Sequence, residues 1–155
     1  MLTDRPRRVV HVITGLEVGG AESVLHRLLA SVDRERYDCR VVSLKGDGPI
    51  GDRLRADGID VEILSLDRRP LDWPALVHRL HRLAPDVVQT WLYHADFLGG
   101  WAARLARLPR VIWTVRHANL EPGRNEGHGL TALSHLSATS RIPFLKFVQN
   151  SLINF

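Results

Sequence analysis

The sequence predicts one three-layer α/β domain, a parallel sheet with helices on both faces. Three observations predict it. Short β-branched apolar runs alternate with stretches of helical periodicity along the chain. Glycine or proline stands at most of the junctions between them. The 155 residues, 45% hydrophobic and 25% charged, suit a single folded core. An alternating order of strands and helices implies right-handed crossovers and a parallel sheet covered on both sides.

Each element follows from its own pattern. Residues 8–14 are a β-branched apolar run ending at Gly15, the signature of a strand buried on both faces. Ala21, Val24, Leu25, Leu28 and Leu29 then recur at helical spacing over residues 21–30. Residues 37–44 form a second strand, closed by the turn Lys45-Gly46-Asp47-Gly48-Pro49. A short helix over 50–57 ends at Gly58, which suits the left-handed cap position. Residues 59–64 alternate as a third strand. Asp72 is placed to cap the next helix, with Pro74 in its first turn and Leu76, Val77, Leu80 and Leu83 along one stripe. Pro85 stops it. A fourth strand covers 86–91 and a fourth helix 95–107, where Gly99-Gly100 costs about 1 kcal/mol per glycine unless the helix approaches the sheet closely there. Residues 110–115 are a fifth strand, 118–129 a loop, 130–139 a helix and 144–149 a sixth strand.

Composition narrows the partners. Cys39 is the only cysteine, so no internal disulfide forms and a reducing, cytoplasmic setting is expected. No apolar run reaches the ~20 residues of a spanning helix, and the apolar stretch after the basic N-terminus is too short for a secretory signal. The net charge is +4, carried almost wholly by arginine. Arginines scattered among acids give no nucleic-acid footprint. Arg5, Arg7 and Arg8 suit a solvated tail, with peripheral contact to an anionic lipid surface at the inner face of a membrane as the alternative.

In a parallel sheet, ligands bind beyond the carboxyl ends of the strands. Gly15–Gly20, Trp91–His94 and Arg116–Asn119 each follow a strand and are expected on one rim. Gly19 and Gly20 sit at a strand-to-helix junction, where backbone N–H groups can approach an anion at the positive end of the helix. The alternative is that they only make the turn. The spacing is neither G-x-G-x-x-G nor a P-loop, which disfavours dehydrogenases and P-loop enzymes. A small nucleotide-binding domain using Asp47 for a ribose is kept as a further alternative. Glu22 is read as first-turn helix charge.

Together these stretches resemble a family. A first strand followed by Gly15-Leu16, Gly19-Gly20-Ala21-Glu22 and Leu25 is similar to the N-terminal, subfamily-4-like domain of retaining glycosyltransferases of the two-Rossmann-domain (GT-B) architecture. Gly58-Ile59-Asp60-Val61, Pro85–His94, Leu98–Ala106, Arg110–His117 and Val148–Ser151 continue the likeness in order. The resemblance implies a Rossmann-like fold and sugar transfer from a nucleotide-sugar to a saccharide or lipid-linked acceptor, in polysaccharide, glycolipid or cell-envelope assembly. It places the donor diphosphate against Gly19 and Gly20. The acceptor falls to His94, Arg116 and His117, either histidine being a candidate for moving a proton. No cofactor and no metal are implied. The donor-gripping second domain is expected after residue 155, so the chain is read as one domain, 1–155, truncated and inactive alone. The other class of reading is a non-catalytic assembly module that pairs with a separate donor-domain chain.

Smaller features have structural readings. His78 and His81 belong to a solvated helix face, His128 and His135 lack partners for zinc, and Trp91, Trp101 and Trp113 are assigned to core or rim packing.

Overall fold

The computed structural model describes residues 5–68 and 70–114. Five strands and four helices alternate: β1 (Arg7–Ile13), α1 (Gly20–Ala30), β2 (Tyr37–Ser43), α2 (Pro49–Ala56), β3 (Asp60–Ile63), α3 (Trp73–Leu83), β4 (Val87–Trp91), α4 (Tyr93–Leu105) and β5 (Val111–Thr114). All neighbouring strands are parallel, in the order β3-β2-β1-β4-β5. This is the Rossmann-like α/β arrangement that the alternating pattern predicts. The expected loop 118–129, helix 130–139 and strand 144–149 lie outside the described residues.

Strand periodicity of two divides the core into two layers. Ile13, Val41 and Trp91 point to one face and pack with Leu25 and Leu29 of α1 and Ile50 and Leu54 of α2. Val10, Val12, Val42 and Val88 point to the other and pack with Leu76 and Leu80 of α3 and Ala95, Ala102 and Ala103 of α4. β1 lies centrally, so its run from Val10 to Ile13 is buried on both sides.

The local signals hold in most places. Gly58 takes φ of 79° after α2, the left-handed conformation expected of it. Gly99 lets α4 lie directly on the sheet, since a Cβ there would stand 2.8 Å from Thr90 Cγ2 and 3.3 Å from Val12 Cγ1. Gly100 does the same against the Trp113 indole. Two expectations need correction. Asp72 precedes α3 without forming a side-chain cap bond. The α4 helix starts at Tyr93 rather than Ala95, because the β4–α4 turn is compressed into Leu92. Of the tryptophans, Trp91 is in the core, and Trp101 is at the rim, half exposed on the outer side of α4.

The basic N-terminus is tied down in part. Arg5 pairs with Asp86 at 2.9 Å, and the Arg8 backbone N–H donates to the same carboxylate at 2.9 Å. Both bonds hold Asp86 below the usual carboxylate range, the Arg8 N–H contributing most.

Candidate functional site

The strand order fixes where a site can form. From β1 the chain winds outward through β2 to β3, then crosses back to β4 on the other side of β1. The direction of winding therefore reverses between β1 and β4, and in sheets of this kind ligands bind beyond the carboxyl ends of the strands at such a point. Ile13 and Trp91 are register partners, so the loops that follow them leave the sheet side by side. One leads to Gly19 and Gly20; the other leads to Tyr93 and His94.

The first loop is anchored by Leu16, which is fully buried. Its carbonyl accepts the Ile50 N–H at 3.2 Å, and the Thr14 carbonyl accepts the Lys45 N–H at 2.9 Å. Gly48 permits this contact, since a Cβ there would run into the Leu16 carbonyl. With its base held, the loop delivers Gly19 as the extended N-cap of α1 and Gly20 as its first residue. Among the described residues, the N-cap Gly19 offers no side-chain bond to the first N–H groups of α1, which have no acceptor within a helix. Space above Gly20 is open, whereas a Cβ on Gly19 would meet the Glu22 carboxylate. Glu22 thus folds back over the helix start, as a carboxylate in the third helical position commonly does. The Thr14 hydroxyl is buried nearby in the sequence without a partner among the described residues.

The second loop is a single strained residue. Leu92 has φ of 73° and ψ of 158°, a region essentially restricted to glycine and characteristic of functional turns. It turns the chain from buried Trp91 straight into α4. Tyr93 and His94 therefore stand exposed in the first turn of the helix, not on a loop before it.

Beneath the rim lie two polar groups that the apolar pattern concealed. His11 is 2% exposed, and its Nδ1 accepts the Trp91 Nε1–H at 3.3 Å. Burial lowers its pKa to about 4, so the ring is neutral with its proton on Nε2. Asp96 is buried in the first turns of α4 and accepts the Thr90 hydroxyl at 2.6 Å. It also receives the Thr114 N–H at the end of β5. Burial raises its pKa to about 6, against the opposing pull of those two donors. The clamp fixes the end of β5, two positions before Arg116 in the chain. A sequence signal existed for Asp96, a lone acid inside an otherwise apolar helix; His11 sits in a β-branched run with nothing to mark its partner.

Gly19, Gly20 and His94 thus stand at the starts of the helices that follow the adjacent strands β1 and β4, while Arg116 and His117 lie outside the described residues. Asp47, the alternative ribose ligand, is already engaged: Arg55 bonds it at 2.7 Å and the Gly48 N–H at 2.9 Å. Its carboxyl is accordingly held below its ordinary pKa, chiefly by Arg55. No cluster of three metal-ligating side chains occurs among the described residues.

The family model of Glycosyltransferase Family 4 matches residues 18–148, most of the chain. No curated protein and no solved structure matches it.

Proposed function

The chain belongs to Glycosyltransferase Family 4, and from that premise we propose that it forms the acceptor-side half of a nucleotide-sugar-dependent glycosyltransferase. A donor-gripping domain, joined or separate, completes the enzyme. The observation that carries the reading is the glycine pair at the start of α1, set beside the point where the winding of the sheet reverses. Amide donors and the positive helix end favour a diphosphate there. His94 projects from the adjacent α4 terminus. An imidazole at that position hydrogen-bonds an acceptor hydroxyl, and Arg116 and His117 add bidentate and proton-accepting contacts to the acceptor. The acceptor is a saccharide or a lipid-linked sugar of the cell envelope, and the reaction takes place on the cytoplasmic side.

Glu22 makes the reading sharply testable. Its carboxylate covers Gly19, and a diphosphate must displace it against like-charge repulsion. Titration of the chain with nucleoside-diphosphate sugars, followed by amide resonances, is expected to shift Gly19, Gly20 and Ala21 first. Glu22→Gln is expected to tighten binding a few-fold. Sugar transfer then requires the donor-gripping domain in the same reaction. If no nucleotide-sugar moves those amides, or if Glu22→Gln weakens binding, the donor assignment fails.

A further inference from the structure

The turn after β2 is built into the base of the glycine loop. The Lys45 N–H donates to the Thr14 carbonyl at 2.9 Å, and the Ile50 N–H to the Leu16 carbonyl at 3.2 Å. The second bond lies at the start of α2, whose N-cap Gly48 offers no side chain to the first N–H groups. Leu16 supplies an acceptor there instead, so main chain of the first loop caps the second helix. The two segments share one set of bonds.

Three residues hold that joint closed. A Cβ on Gly48 would stand 2.5 Å from the Leu16 oxygen and 3.0 Å from the Glu17 Cα. The φ of 175° at Gly48 is open to any residue, so glycine is required there for space and not for backbone freedom. Asp47 fixes Gly48 from the other side. Its Oδ1 accepts the Gly48 N–H at 2.9 Å, and its Oδ2 accepts Arg55 of the last turn of α2 at 2.7 Å. Gly51 makes room for this carboxylate, since a Cβ there would strike Asp47 Oδ1. An exposed ion pair adds little stability; its effect here is geometric. Leu16, Ile50 and Leu54 are fully buried, whereas Glu17 and Val18 are exposed. Pressure at the joint is therefore relieved along the loop toward Gly19 and not through the core.

We propose that Asp47, Gly48 and Arg55 are positioning residues for the donor loop. They set the place of the Leu16 carbonyl, and through it the place where Gly19 and Gly20 present their amides to a diphosphate. Asp47, engaged by Arg55 and Gly48, acts on the nucleotide through the loop and not by gripping a ribose. The inference rests on the donor reading given above.

The test uses the full chain with UDP and GDP as probes, followed by amide resonances and titration calorimetry. Gly48→Ala is expected to displace the amide resonances of residues 16–20 before any ligand is added. It is then expected to bind the nucleotides about tenfold more weakly. Gly46→Ala is the control in the same turn, because a Cβ there meets nothing within 4 Å; it is expected to match the wild type in both readouts. Should Gly48→Ala fail to fold, Arg55→Gln decides, since it releases Asp47 without adding volume. Arg55→Gln is expected to shift the same amides and weaken binding, and Arg55→Lys to restore part of the loss by returning the charge. A folded Gly48→Ala chain with wild-type loop resonances or wild-type affinity overturns the proposal, as does an Arg55→Gln chain unchanged in both. A wild-type chain that binds neither nucleotide overturns the donor reading itself, and this role with it. Wild-type binding that is insensitive to these substitutions overturns the positioning role alone.

Discussion

The two helical layers bury similar cores but present different chemistry to water. On the α1/α2 side, acids and bases interleave and pair. His26 bonds Asp57 at 2.8 Å, and Arg55 reaches both Asp47 at 2.7 Å and Asp52 at 3.4 Å. On the α3/α4 side, the one ion pair made by a helix among the described residues is Arg79 to Glu62 at 2.7 Å, and it turns inward to β3. The remaining outward charge there is basic, and the apolar bulk of α4 faces out. Burial of the core accounts for what the two layers share. It cannot account for a helix that sets alanines against the sheet and aromatic rings against solvent.

The largest test of that contrast is in the core. Leu25 of α1 and Leu80 of α3 are each fully buried, so Leu25→Ala and Leu80→Ala are each expected to cost about 2–5 kcal/mol. Urea denaturation measures both. A loss under about 1 kcal/mol at either position would show that layer to be loosely packed, and the comparison would rest on a false equality.

Next in size is the response to acid, where the two faces of the sheet pull in opposite directions. His11 has a folded pKa of about 4 against an ordinary 6.5, so below pH 6.5 the unfolded chain takes up the proton first. Stability contributed by the neutral ring is present above pH 6.5 and is lost between about 6.5 and 4, on the order of 3 kcal/mol in all. Asp96 has the reverse sign. Its folded pKa of about 6 lies above the ordinary 3.8, so its ionisation costs stability as pH rises from about 4 through 6. A chemical relay eases its protonation. The Thr90 hydroxyl now gives its hydrogen to Asp96 at 2.6 Å, with the Ile112 carbonyl waiting at 3.3 Å. A protonated Asp96 can donate to Thr90, which then donates to Ile112. Unfolding midpoints taken from pH 4 to 7 are expected to change little in the wild type, where the two contributions nearly cancel, and to fall toward acid in Asp96→Asn, where only the His11 contribution remains.

Much of this frame was legible in the sequence, for a physical reason. Strands buried on both faces need β-branched runs, and crossover helices need apolar residues at intervals of three and four; Val9–Ile13 and Leu76–Leu80–Leu83 state this openly. The outer ridge was not legible, because periodicity assigns large apolar residues to the inside. In α4 that inference inverts: Gly99 and the alanines win the sheet side by permitting close approach. That His94 belongs to the first turn of α4 was not legible, because nothing local announces that Leu92 alone makes the turn at φ of 73°. The glycine pair was visible, but the Glu22 carboxylate lying over it follows only from three-dimensional placement.

Close approach makes its own prediction, of intermediate size. Gly99→Ala gains about 1 kcal/mol of helix propensity, yet its Cβ would press on Thr90 Cγ2 at 2.8 Å. Thr90 is held by its bond to Asp96 and cannot yield without loosening that clamp. A net loss of about 1–2 kcal/mol is expected. Thermal unfolding that shows Gly99→Ala to be stabilising would mean that α4 floats above the sheet, and the small-residue side would need another explanation.

The smallest expected effect per side chain discriminates best. Phe97→Ser/Trp101→Ser removes two large apolar side chains from the same helix, and by composition alone it resembles a core deletion. Both side chains are about half exposed, and only apolar area removed from water stabilises the fold. The expected change in unfolding free energy is therefore about 1 kcal/mol per side chain, well short of a core deletion. Set beside several kcal/mol for Leu80→Ala in the adjacent α3, that difference separates the half of the layer that folds the protein from the half that is free to bind. A destabilisation of core size would show that the ridge is holding the domain together, and the contrast between the two layers would reduce to one of charge.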